Sequence, residues 1–262
     1  STMPDGIGGT AAITVTDAVY GYTAFYSSFD ISDFIVEDDK LDFLRNVVSH
    51  TVMNLNMSDK ILVVDDGANE YGIDLCKEYF DILRNKLGFN NASKAIVQQD
   101  KDGPLYEDMK AYDAVLWVTG ESFGNPYDGI TTLTENDQSN IIRYLEDNKK
   151  FILIGEDALL GIEDSRLFKE YLKIDDCMEF GIYEEVKWND EPFQGKSYDI
   201  IENQWRDIII HTSEYVKPVM EYVPVVHPYS YMQGTSMASP VAAGVAAILR
   251  SYYPELTAKQ VI

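Results

Sequence analysis

Short apolar runs alternate with amphipathic stretches through the middle of this chain. KILVVDD (60–66) reads as a buried strand ending in a Gly-containing turn. A helix is predicted around Leu75–Leu87, with Leu75, Tyr79, Ile82 and Leu83 on one face and Gly88 just past its end. AIVQQ (95–99) and YDAVLWVTG (112–120) follow as strands, the second continuous in the way of a strand covered on both faces. Thr134 caps a helix running to about Asp147 with Ile141, Ile142 and Leu145 on its apolar side. KFILIGED (150–157) is a fourth strand and Ser165 to Leu172 a short helix. Strands separated by helices imply an α/β fold, a parallel sheet with helices on both faces. Ahead of this block, TAAITVTD and YGYTAFYSSFD alternate as two strands joined around Gly21, and DKLDFLRNVVSHTVMNL is an amphipathic helix. From Trp188 to Val226 the pattern is weakest, and only strands with connections are expected.

Composition narrows the picture. At 262 residues and 45% hydrophobic content the chain can bury one large core or two smaller ones. Lys and Arg total 21 against 44 Asp and Glu, a net charge of −23, which excludes a nucleic-acid partner by repulsion. No run approaches the roughly 18 apolar residues of a membrane span, and no signal peptide begins the chain, so Ser1 reads as the start of an excised piece. Cys76 and Cys177 show neither metal-ligand spacing nor a disulfide framework and are expected as free core thiols. No cofactor is expected; a structural calcium is left open.

The chemistry concentrates near the end, where Gly234-Thr235-Ser236-Met237-Ala238-Ser239-Pro240 runs into VAAGVAAILRSYYPELTAKQVI. Gly234 and Thr235 would turn the chain into a helix and place Ser236 at its positive end, where free N–H groups and the dipole favour an oxyanion. Pro240 is tolerated in a first turn, and Pro254 stops the helix. Thr257 and Gln260 pair as the capping box of a further helix. An Ala-rich core helix with a Ser cap is the plain alternative. This segment resembles the nucleophile segment of the subtilisin-like serine peptidases (subtilases), in which the Ser of G-T-S-M-A attacks the scissile carbonyl. The resemblance implies peptide hydrolysis through an acyl-enzyme on Ser236, a polypeptide substrate and an extracellular or cell-envelope location.

A serine hydroxyl needs a base, and the base needs a carboxylate. Subtilases supply an Asp at a strand end and a His in an H-G-T-H helix start. His50, His211 and His227 have no such setting. ILVVDDG (61–67) resembles the subtilase Asp strand, yet no His motif follows, so Asp65 and Asp66 read as strand-end residues of a different domain. Asn125 in FGNPYDG imitates the family's oxyanion Asn, but its loop does not match. The triad Asp and His are therefore expected outside this chain, which alone would be inactive.

The middle block, about 58–205, resembles class I glutamine-amidotransferase-like (flavodoxin-like) domains. A working amidotransferase carries Cys on the turn after the fourth strand; here that turn is Gly155-Glu156-Asp157-Ala158. Glu156 and Asp157 stand where ligands of such folds bind, or serve as helix caps. STMPDG resembles the subtilase segment shortly before the nucleophile, whose tyrosine-bearing turn returns only at HPYSYMQ (227–233). This gives 1–6 as a subtilase segment, 7–226 as an inserted domain and 227–262 as the nucleophile segment with a subtilase helical fragment. Residues 10–55 either end a preceding truncated repeat or complete 60–205 by circular permutation; permutation leaves fewer bare edges. A non-catalytic interaction module (pseudo-peptidase) and a glutaminase using Cys76 or Cys177 are the competing functions. Peptide specificity and oligomeric state are not encoded legibly.

Overall fold

The computed structural model describes residues 8–50, 53–67, 74, 76–97, 101–120, 131–179, 183–203 and 207–224, together with 243, 246 and 251–253. The chain divides into two compact units, Ser1–Val225 and Val226–Ile262.

In the first unit the elements follow in chain order. Strands β1 (Gly9–Thr16) and β2 (Thr23–Ser27) lead to helix α1 (Glu37–Arg45), which passes into a wider turn over Asn46–His50. Strand β3 (Ile61–Asp65), helix α2 (Cys76–Asp81), strand β4 (Ala92–Ile96), helix α3 (Tyr106–Met109) and strand β5 (Ala114–Gly120) come next. Helix α4 (Glu135–Glu146), strand β6 (Lys150–Gly155) and a wide helical turn over Leu167–Tyr171 complete the α/β alternation. Five strands close the unit: β7 (Asp176–Glu179), β8 (Tyr183–Trp188), β9 (Ser197–Asn203), β10 (Asp207–Ile210) and β11 (Val216–Pro224).

All eleven strands share one mixed sheet in the order β4-β3-β5-β6-β2-β1-β11-β8-β9, with β10 bridging β1 and β7. From β4 to β2 every pairing is parallel; from β2 to β9 every pairing is antiparallel. The wholly parallel sheet expected from the α/β rhythm is thus only part of the sheet. The reason is local: β1 and β2 form a hairpin around Gly21, whose φ of +75° suits glycine, and a hairpin forces antiparallel pairing. Strand β2 then lies parallel beside β6, Ser27 opposite Ile154.

The sheet buries both faces across its parallel half. Ile61, Val63, Leu116, Val118, Ile152 and Ile154 join one apolar cluster with Phe43 and Leu44 of α1 and Tyr79 of α2. The alternate residues Leu62, Val64, Val115, Trp117, Phe151 and Leu153 join the other with Ile141, Tyr144 and Leu145 of α4. Period-two alternation within apolar runs is what places helices on both sides. In the antiparallel half, Val186, Trp188, Tyr198, Met220 and Tyr222 face inward, while Lys187, Ser197, Asp199, Ile201 and Glu221 are exposed. One wet face is ordinary for antiparallel strands.

Two details depart from the sequence reading. Strand β4 begins at Ala92 rather than at Ala95, because Asn90 and Asn91 make the turn after Gly88. Cys177, expected as a core thiol, is paired in β7 opposite Ile209 and is half-buried rather than sealed in a core. The acidic residues flanking Cys177 conceal a four-residue strand too short to show a period. Gly9 pairs with Tyr222, so the first and last strands of the first unit run side by side.

Candidate functional site

Ser236, Asn125 and His227 lie outside the described residues, as does the side chain of His50. In the second unit Ala243, Ala246, Ser251 and Tyr252 have helical backbone, and Tyr253, just before Pro254, does not. His211 follows the end of β10 and is half-buried.

The described candidate chemistry gathers at the carboxyl edge of the parallel strands. Register aligns Asp65, Val118, Ile154 and Ser27 as one row across β3, β5, β6 and β2. Asp65 is fully buried. Its Oδ1 accepts from the Gly67 N–H and its Oδ2 from the Cys76 N–H, both at 3.3 Å. It ties the end of β3 to the start of α2, an anchoring role.

Asp66 stands one residue further, at the point where neighbouring strands depart in opposite directions, the usual ligand crevice of open α/β sheets. Its N–H donates to the Val118 carbonyl at 2.9 Å, and its Oδ2 accepts from Trp117 Nε1 at 2.8 Å. Burial pushes the Asp66 carboxyl up to about 8; the Trp117 N–H opposes this, and Asp137 and Asp65 add to it. At neutral pH Asp66 is mostly a neutral acid. Asp137 is buried beneath the same edge and accepts from the N–H groups of Gly103 (2.7 Å) and Thr134 (3.0 Å). Burial raises its carboxyl while those hydrogen bonds lower it.

The turn after β6 is tightly packed. A Cβ on Gly155 would meet Thr119 Oγ1 at 1.8 Å, so only glycine fits. Glu156 is buried, and its N–H donates to the Gly120 carbonyl at 3.2 Å. Cys76 opens α2, and burial, reinforced by Asp65, drives its thiol far above the ordinary range. Burial does the same to Cys177, with Asp207 adding to it. A thiol held protonated is a poor nucleophile, so neither cysteine is set up for glutaminase chemistry.

Sequence reasoning placed Asp65 and Asp66 at the strand end but missed two partnerships. Trp117 reaches Asp66 from the next strand, which sequence distance hides. Asp30, pushed up to about 6 chiefly by burial, receives the Tyr79 hydroxyl at 2.9 Å. Among the described residues no group of three or more His, Cys, Asp or Glu side chains could hold a metal ion. No helix among them is long and apolar enough to cross a membrane.

A sequence profile described as the Subtilase family matches residues 204–262. The match takes in β10 and β11 of the first unit as well as the whole segment around Ser236. Neither a curated protein nor a solved structure gives a significant match.

Proposed function

We propose that this chain is part of a subtilisin-like serine endopeptidase in which Ser236 forms the acyl-enzyme with a polypeptide substrate. The observation that carries this reading is the Subtilase family match over 204–262, centred on Gly-Thr-Ser-Met-Ala. In this reading the helix that includes Ala243 and Ala246 presents its N-terminal N–H groups and dipole to the developing oxyanion. The general base and its carboxylate come from polypeptide beyond these 262 residues, because no histidine here stands in an H-G-T-H setting. Asp65 is engaged in holding α2 and Asp66 is held neutral, so neither suits the triad carboxylate.

Residues 7–226 are read as an insert of amidotransferase-like, flavodoxin-like fold, circularly permuted so that β2 takes the place of a fifth parallel strand. The pairing of Gly9 with Tyr222 supports insertion, since an inserted domain must return the chain close to where it left. An extracellular or cell-envelope location follows from the same reading, and no cofactor is required by it.

In a longer polypeptide that also carries the Asp strand and His helix, Ser236→Ala is expected to lower kcat for protein hydrolysis by at least about 10³-fold. Asp65→Asn and Asp66→Asn leave it within about twofold once folding is matched. Retained hydrolysis in the Ser236→Ala protein refutes the assignment. A pseudo-peptidase role is favoured by one observation, the missing histidine motif, and predicts no Ser236-dependent hydrolysis even in the longer polypeptide.

A further inference from the structure

The outermost strand of the antiparallel half carries an exposed apolar patch with an acidic rim. Phe34 forms a bridge with Ile200, and the Ile35 N–H donates to the Asp199 carbonyl at 3.2 Å. Phe34 and Ile200 are buried, so alternation sends Ile35, Asp199 and Ile201 to the opposite, wet side. Ile35 and Ile201 are diagonal neighbours across this pairing, within reach of each other's side chains. Their exposures are 64% and 53%, and Val36 alongside is 45% exposed.

Asp199 and Glu185 share the exposed side of the sheet with Ile35 and Ile201, and Asp38 and Asp39 follow Val36 in the first turn of α1. Asp199 lies directly opposite Glu185 in the β8·β9 pairing, a like-charge pair that costs stability rather than adding to it. Asp39 is raised by burial first; Lys196 opposes this, and Asp42, Asp199 and Asp38 add to it, so these carboxylates stand close together. The nearby cations are already engaged: Lys196 and Arg45 both pair with Asp42. Lys187 stands two pairs further along, opposite Ser197 and Glu221. Acidic residues in the first turn of α1 suit the helix dipole. That role does not account for the Glu185–Asp199 pair or for the exposure of Ile35 and Ile201. Residues 226–262 contain only Arg250, Lys259 and Glu255 among strong charges, so the acidic excess of the whole chain resides in the first unit.

Exposed apolar side chains inside a charged rim mark protein-docking surfaces, and the sign of the rim selects the partner. We propose that Ile35, Val36 and Ile201, rimmed by Asp38, Asp39, Asp199 and Glu185, dock a cationic polypeptide segment in which Lys or Arg alternates with apolar residues. The identification of that segment as substrate rests on the peptidase reading; the docking itself does not. The apolar anchors enter the patch while the ammonium or guanidinium groups meet the rim, with an association rate that falls as salt rises.

The test is a fluorescence-anisotropy titration of the whole chain, carrying Ser236→Ala so that no cleavage intervenes. The probes are labelled twelve-residue peptides alternating Lys with Leu, Glu with Leu, and Lys with Ser. The Lys/Leu peptide should bind in low salt, lose at least tenfold in affinity in about 0.5 M salt, and outbind each of the other two at least tenfold. Ile35→Ser with Ile201→Ser, or Asp38→Asn with Asp39→Asn and Asp199→Asn, should each weaken it at least tenfold at unchanged thermal midpoint. Neutralising Asp108, Asp164 and Glu214, exposed carboxylates elsewhere on the first unit, should leave it within twofold. Equal loss with that control set would show only the general field of the chain and overturn the proposal, as would no binding by the Lys/Leu peptide. Because cleavage is not read, these outcomes stand apart from the fate of the peptidase reading.

Discussion

At the scale of single residues, two buried carboxyls set a pH dependence of stability. Asp66 titrates near 8 in the fold against an ordinary value of 3.8, and Asp30 near 6. As pH rises the unfolded chain gives up these protons first, so the fold binds more protons across the window and stability falls. The loss runs from about pH 4 to 8 for Asp66 and from about 4 to 6 for Asp30. Asp66→Asn should therefore gain on the parent protein as pH rises through 4–8, by something on the order of a few kcal/mol, in paired thermal melts. A gap that stays flat with pH would mean Asp66 is ionised in the fold like any surface carboxylate. Gly155 offers a second residue-level test. Gly155→Ala should cost about 1–3 kcal/mol by overpacking against Thr119. Adding Thr119→Ala should return part of that loss, a coupling readable in a double-mutant cycle.

At the scale of elements, legibility followed the strength of local rules. Helix α4 was readable because Thr134 and Asp137 form a reciprocal cap and Ile141 and Leu145 repeat at helical spacing. Thr134→Ala should lower stability by about 1 kcal/mol in denaturant titration; no change would mean Asp137 alone holds the helix start. Strand β5 was readable because all of Ala114–Gly120 is buried. The antiparallel β1–β2 pair around Gly21 was readable too, but β7 to β11 were not, for physical reasons. Pro218 lies within β11 and Pro224 ends it, residues that read as strand breakers in a sequence, and register shifts occur where β1 meets it. Charged outward residues break the apolar runs of β8 and β9. The inward residues Trp188, Tyr198 and Tyr222 pack against Phe43, Phe34 and Phe29 from distant sequence. Long-range aromatic packing of that kind leaves no local period to detect.

At the scale of the whole molecule, the chain forms one large α/β unit, Ser1–Val225, and the Subtilase family match over 204–262 takes in the last two strands of that unit and all of the second unit. Ser236 is proposed as the nucleophile on a seven-residue motif that lies outside the described residues. The carboxylate environments of Asp30 and Asp66 were not legible in the sequence, since burial depends on the assembled sheet. The most direct measurement is site-mapped labelling by a fluorophosphonate probe, on this chain alone and on a longer polypeptide supplying the triad Asp and His. The account predicts a phosphonyl adduct on Ser236 in the longer polypeptide, abolished by Ser236→Ala, and no adduct on the 262-residue chain. An adduct on another serine in the longer polypeptide, or on Ser236 in the isolated chain, contradicts it.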